Sequence, residues 1–295
     1  MYGFSSSLKE SAADRLRPHE VAGSPAENRA IVLKTPPDAR LGPASHLRLD
    51  FLGIPLDCPT LAQAVAAAAS AMETRTRFQH GDINVAKFIS CRSDRELLRC
   101  TRESDVVFAD GMGILLASRL LGLPVPERVT GIDLMIGIIE VCARKGYRPY
   151  FLGAKSPVLR DALRELRSRY PNLEIAGSRD GYFTDADTPQ VVADIRASKA
   201  DCLFVGISSP IKETFLNRYR ETLNVPVQLG VGGAFDVLAG HVRRAPLWAQ
   251  KSGFEWLFRL AQEPRRLASR YMRTNAQFFI VLSGALIRRL LPQGR

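Results

Sequence analysis

The sequence predicts an α/β protein, a parallel sheet covered by helices on both faces, and three observations lead there. Between residues 50 and 240, short β-branched runs alternate with segments of helical periodicity. The turns that follow the strand-like runs read "DINVAKF", "ADGMG", "LGAKSP", "GISSPIKE" and "GVGGAFD", each carrying glycine, a polar side chain or both. With 295 residues, 46% of them hydrophobic, the chain can bury a full core as one large domain or slightly more.

In chain order, a helix is expected over Thr60–Thr74 with Thr60 as its N-cap, then a strand at His80–Ile83 and a helix at Asp94–Thr101. A strand at Asp105–Phe108 precedes helices at Gly113–Leu121 and Asp133–Lys145, and a strand at Arg148–Leu152 precedes a helix at Pro157–Tyr170. Strands at Leu173–Ala176, Cys202–Gly206 and Val227–Gly230 are separated by helices at Pro189–Lys199 and Pro210–Thr222. Three of these helices begin at proline, whose missing N–H is one that a helix start leaves unpaired anyway. Ligands of open α/β sheets bind at the carboxyl ends of the strands, so the turns quoted above are where chemistry is sought.

Residues 1–47 are expected to form a mobile tail, because positions 5–47 are rich in Ser, Ala, Pro, Glu and Arg, and they lack the apolar stretch of a secretory signal. After residue 240 the pattern turns to helix without strands, giving a basic helical appendage over 241–295 beside a core over 48–240. Its longest apolar run, Ala276–Ile287, is well short of the roughly 20 residues that cross a bilayer, so it can lie on a membrane without spanning it. Pro264 is expected to interrupt the helix between Arg259 and the group Arg266, Arg270 and Arg273.

The net charge is +11, and residues 240–295 hold eleven Arg or Lys against two acids. Such a surplus needs an anionic partner: nucleic acid, an acidic membrane surface or a diphosphate. Nucleic acid is disfavoured because the charge is confined to the appendage while the strand-end turns carry Asp, Asn and Gly. Five cysteines without CxxC spacing argue against a disulfide framework and a structural zinc site, and point to a reducing compartment. No DxD at a strand end and no HxxxH or HExxH occurs, so neither a metal nor another cofactor is expected.

The segments "FADGMGILLASRLLG", "ERVTGIDL", "GYF", "GVGGAFDVLAG" and "RAPLWAQKSGFEWLFRLAQEPRRLASRY" together resemble the WecG/TagA/CpsF group, glycosyltransferase family 26, over residues 50–275. The resemblance implies a Rossmann-like core with a C-terminal appendage that docks on the membrane and completes the site. It implies inverting transfer from a UDP-sugar to a polyprenyl-diphosphate-linked sugar, and the missing metal motifs make that transfer metal-independent. The enzyme would then be cytoplasmic, peripheral on the inner face of the cell membrane, with an anionic membrane surface as partner and homo-oligomers left open.

Such a transfer needs a general base for the acceptor hydroxyl and positive charge or N–H dipoles for the leaving diphosphate. Asp110, after the apolar run "VVFAD", matches the position that the family uses for its base; the alternative is a cap on the next helix. Asn84 can bind a sugar hydroxyl or phosphate, or form an Asx turn. Asp82 stands where many members carry threonine; it would change donor specificity or share the base role, and two close carboxylates would push one pKa up.

Arg128 matches the arginine of the family motif and would clamp a phosphate, or is a solvated loop residue. Lys212 stands where glutamine is common; it would meet phosphate at a helix N-terminus, or be an exposed first-turn lysine. Tyr182 and Asp236 match nucleotide contacts, with core packing and helix capping as their alternatives. Gly153, Gly232 and Gly233 supply bare N–H groups for a nucleotide. Arg259, Arg266 and Arg270 are either clamps for the leaving group or contacts to anionic lipid. The departures at Asp82 and Lys212 tilt the donor toward a hexose for exopolysaccharide, with UDP-N-acetylmannosamine as the alternative.

Overall fold

A computed structural model describes residues 47–252 and 254–290. The expected tail lies, up to residue 46, outside the described residues. The described residues open with a hairpin that the sequence pattern did not indicate, β1 (Arg48–Phe51) and β2 (Ile54–Asp57). Its two-residue turn holds Leu52 and Gly53 at positive φ, 53° and 91°, the backbone twist that tight hairpins require. Asp57 fastens it, taking Arg48 at 2.7 Å and the Val107 N–H at 2.7 Å.

Alternating helices and strands follow: α1 (Leu61–Thr74), β3 (Phe78–Ile83), α2 (Val85–Ser93), α3 (Arg95–Arg102), β4 (Val106–Ala109), α4 (Met112–Leu120), α5 (Gly131–Lys145) and β5 (Pro149–Gly153). Then come α6 (Ser156–Arg169), β6 (Gly177–Arg179), α7 (Thr188–Ala197), β7 (Cys202–Gly206), α8 (Ile211–Leu223), β8 (Val227–Gly230) and α9 (Ala234–Leu238). Thr60 caps α1 in a full capping box with Gln63, as its position suggested. The helix α2 and the short α9 were not expected, and the strand sought at Leu173–Ala176 lies instead at Gly177–Arg179.

The eight strands form one sheet in the order β1-β2-β4-β3-β8-β7-β5-β6, parallel except for the hairpin. One face packs on α1, α5, α6 and α9 through Phe108, Phe151, Phe204 and Phe235. The other is covered by α2, α3 and α4 over Phe51, Ile83 and Phe88, and by α7 and α8 over Leu203, Val205 and Leu216. Neighbouring strands β3 and β8 therefore send their following helices, α2 and α9, to opposite faces. The carboxyl ends of strands that diverge in this way are the usual ligand position in such sheets.

The C-terminal segment comprises α10 (Leu247–Ser252), α11 (Glu255–Gln262) and α12 (Pro264–Leu290). Pro264 divides α11 from α12, as expected of a residue without an N–H to donate. Along α12, Phe278 is 7% exposed and meets the Phe88 ring edge-on at 5.4 Å, while Phe279 is 71% exposed. The helix thus presents one face to α2 and leaves another bare. Replacing Phe278 by alanine should remove about 3 kcal/mol or more, a fall in Tm of about 6 °C or more by calorimetry. An unchanged Tm would mean that α12 contributes nothing to the fold. Among the described residues, no helix is long and apolar enough to cross a membrane.

Candidate active site

The β3 and β4 strand ends bring Asp82, Asn84 and Asp110 together. The strands pair in register, Asp82 with Phe108 and Ile83 with Ala109, and the Asp110 N–H donates to the Ile83 carbonyl at 2.8 Å. Asp110 does not cap α4: the capping position is Gly111, at φ 109°, and no side chain bonds the start of that helix. No described residue donates a hydrogen bond to the Asp110 carboxylate. Asn84 does cap, its Oδ1 accepting from the Lys87 N–H at 3.0 Å, which leaves only its Nδ2 donors for a ligand.

Asp82 is not free to act as a second base. Its Oδ1 accepts from Lys87 Nζ at 2.8 Å and from Lys212 Nζ at 2.7 Å. Glu213 completes the group, 2.5 Å from Lys87 and 3.1 Å from Lys212. Lys212 also donates to the Gly230 carbonyl at 3.2 Å, so its ammonium bonds Asp82 and Gly230 and is paired in charge with Glu213. Both sequence-based alternatives for Lys212 are thereby corrected. It is a buried lysine whose ammonium is held inside the protein, neither exposed in a first turn nor open to phosphate. Lys87 and Glu213 escaped notice because nothing in a linear pattern reveals that they meet; two more charges in the first turns after strands were the only hint.

These contacts split the two carboxyls. Burial pushes the Asp110 carboxyl up to about 6, helped by the charges of Asp82 and Glu255 and opposed by Lys212 and Lys87. Burial would raise Asp82 too, but Lys212 and Lys87 outweigh it and hold that carboxyl well below the usual range. The expected pair therefore exists, with Asp82 ionised and Asp110 the group of raised pKa. His80 beneath them is driven down to about 3 by burial, so it stays neutral.

Arg128 is not a solvated loop residue. Its Nη1 lies 2.5 Å from Glu255 of α11, and its Nη2 is 3.4 Å from Gln250 of α10. Nearby, Arg244 pairs at 2.7 Å with Asp133, which Thr130 also holds at the start of α5. The "RVTGID" segment and the C-terminal helices are clipped together by these two pairs, and Glu255 had not been singled out. Arg259 stands on α11, and Arg266 and Arg270 on α12; their side chains lie outside the described residues.

The other candidates follow the carboxyl ends of β5, β6 and β8. Tyr182 is 62% exposed, which rules out core packing, and lines a cavity of about 660 Å³ with Ser156, Arg160, Arg167 and Arg179. Asp236 lies in the first turn of α9 with no side-chain bond capping that helix. Gly232 has φ 53° and open space where a Cβ would stand, whereas a Cβ on Gly153 would meet the Gly206 backbone at 2.5 Å. Close strand contact is thus reason enough for glycine at 153. Gly233 is the N-cap of α9. Among the described residues, no three His, Cys, Asp or Glu side chains are grouped to hold a metal ion.

Residues 49–291 match the glycosyl transferase WecG/TagA/CpsF family. The chain belongs to this family. Two similar relatives are both named N-acetylglucosaminyldiphosphoundecaprenol N-acetyl-beta-D-mannosaminyltransferase. The Bacillus spizizenii protein is 35% identical over 163 residues, 55% of this chain and 63% of the relative. The Bacillus subtilis protein is 34% identical over 173 residues, 59% of this chain and 67% of the relative. The chain thus spans about two thirds of the length of these WecG/TagA/CpsF relatives. Both names give those relatives an N-acetyl-beta-D-mannosaminyl group to transfer, whereas Asp82 and Lys212 tilted the sequence reading of this chain toward a hexose. The tilt also loses its physical basis, since the two departures neutralise each other.

Proposed function

We propose that the protein is a glycosyltransferase that moves N-acetylmannosamine from a UDP donor to N-acetylglucosamine carried on a polyprenyl diphosphate. The supporting observation is Asp110, an unbonded carboxyl of raised pKa at the strand ends. It suits a general base, since a base works best when its pKa lies near the operating pH. In this reading the Asp110 carboxylate removes the proton from the acceptor hydroxyl as that oxygen attacks the anomeric carbon. The bond from that carbon to the diphosphate oxygen breaks, UDP departs with the electron pair, and the configuration inverts. The Asn84 amide donors hold a sugar hydroxyl or phosphate oxygen.

Arg128 and the C-terminal arginines Arg259, Arg266 and Arg270 supply positive charge to the departing diphosphate, so no metal ion is required. Tyr182, Asp236 and the turn at Gly232 and Gly233 receive the nucleotide, with Gly153 at its edge. The bare face of α12, with Met272, Phe279, Ile280 and Ile287 exposed beside Arg273 and Arg288, suits an anionic membrane surface where a lipid-linked acceptor resides.

UDP should bind the purified protein in EDTA and compete with the donor, and transfer should persist in the chelator. Loss of transfer on chelation, restored by a divalent ion, would show that a metal carries the diphosphate charge; failure of UDP to bind would overturn the assignment.

A further inference from the structure

Four buried charges meet at the ends of β3 and β8. Asp82 comes from β3, Lys87 from the first turn of α2, and Lys212 and Glu213 from the first turn of α8. Each lysine contacts both carboxylates, at 2.5 to 3.1 Å, and the side chains are between 5% and 9% exposed. Two positive and two negative charges make the group neutral. Glu213 is further tied by the Ser209 hydroxyl at 2.8 Å, and Lys212 by the Gly230 carbonyl, so the group joins three strand-end turns.

Stability alone does not explain such a group. Removing four charges from water is offset only when nearly every hydrogen bond is made, and apolar side chains of similar volume commonly serve the fold as well or better. Its position suggests another role, because Asp82 lies on the strand next to the one that ends in Asp110. Fixed charges at that range act through a poorly screened medium, so Asp82, Lys87 and Lys212 bear on the Asp110 carboxylate, while Glu213 balances the charge of the two lysines that it contacts.

We propose that Asp82, Lys87, Lys212 and Glu213 form a neutral positioning quartet that fixes the electrostatic field at Asp110. Lys87 and Glu213 are then positioning residues for transfer although neither touches a substrate. The inference rests on Asp110 being the base. The groups that act on Asp110 are Asp82 from β3, Lys87 from α2, Lys212 from α8 and Glu255 from α11. With Asp82 alone removed, the remaining lysines favour an ionised Asp110; with Lys212 alone removed, its protonated form is favoured. Removal of both restores neutrality.

The test is the pH dependence of kcat/KM, from pH 5 to 8, for the full-length protein and for Asp82→Asn, Lys212→Gln, Lys87→Gln and the double variant Asp82→Asn with Lys212→Gln. The acidic limb should move down by about half a pH unit or more in Asp82→Asn and up by a similar amount in each lysine variant. In the double variant it should return to the wild-type position. If the single variants lose activity equally at every pH while the limb stays in place, the quartet is structural and the proposal fails. Should a lysine variant not fold, Asp82→Asn compared with the double variant decides the matter alone. An Asp110→Asn variant that keeps both its activity and the acidic limb would instead show that the assignment of the base is wrong.

Discussion

Asp110→Asn lowers kcat by about 10²-fold or more while UDP binds nearly as it does to the wild type, because a lost general base removes help present only in the transition state. In the wild type, activity should rise with pH through about 6, the value to which burial and the Asp82 and Glu255 charges bring this carboxyl. The acidic limb disappears in Asp110→Asn. Stability moves in the opposite sense. A carboxyl whose folded-state pKa lies above its ordinary 3.8 contributes stability below that value, and the contribution is lost as pH rises through about 6. At pH 8 the Asn variant should melt above the wild type by about 2 °C or more, and the gap should close at acid pH. Turnover within a few-fold of wild type would remove Asp110 from the reaction.

Truncation after residue 245 should abolish both transfer and binding to anionic vesicles. The removed segment carries Glu255 and Gln250, which hold Arg128, and Arg259, Arg266 and Arg270, the charges proposed for the leaving diphosphate. It also carries the bare apolar face of α12. The cut exposes the ring of Phe88, so the core should be checked by its melting curve and by UDP binding. Retained transfer without vesicle binding would reduce the arginines to lipid contacts.

The alternation of strand and helix was legible in the sequence because apolar runs and capping residues are local signals. The strands Cys202–Gly206 and Val227–Gly230 and the Thr60 cap occur where the pattern places them. The β1–β2 hairpin was not, since "RLDF" and "IPLD" are too short to show periodicity and the hairpin is held to the sheet by the distant bond of Asp57 to the Val107 N–H. The edge strand β6, "GSR", has no apolar residue at all; its register comes from pairing with Tyr150–Leu152, and the apolar Leu173 packs into the core outside any strand. At the site, Asp110, Asn84 and Arg128 could be named from motifs. Their partners could not: Lys212 finds Asp82 from 130 positions away and Arg128 finds Glu255 from 127. Such contacts reversed the role of Lys212 and fixed the protonation of Asp82.

The most direct measurement is mass spectrometry of the lipid product, formed by the full-length protein from a synthetic N-acetylglucosaminyl diphosphate lipid and either UDP-N-acetylmannosamine or UDP-glucose. Addition of one N-acetylhexosamine from the first donor, with none from the second, is the predicted result. A product carrying glucose alone would contradict the assigned donor, and no product from either donor would contradict the assigned reaction.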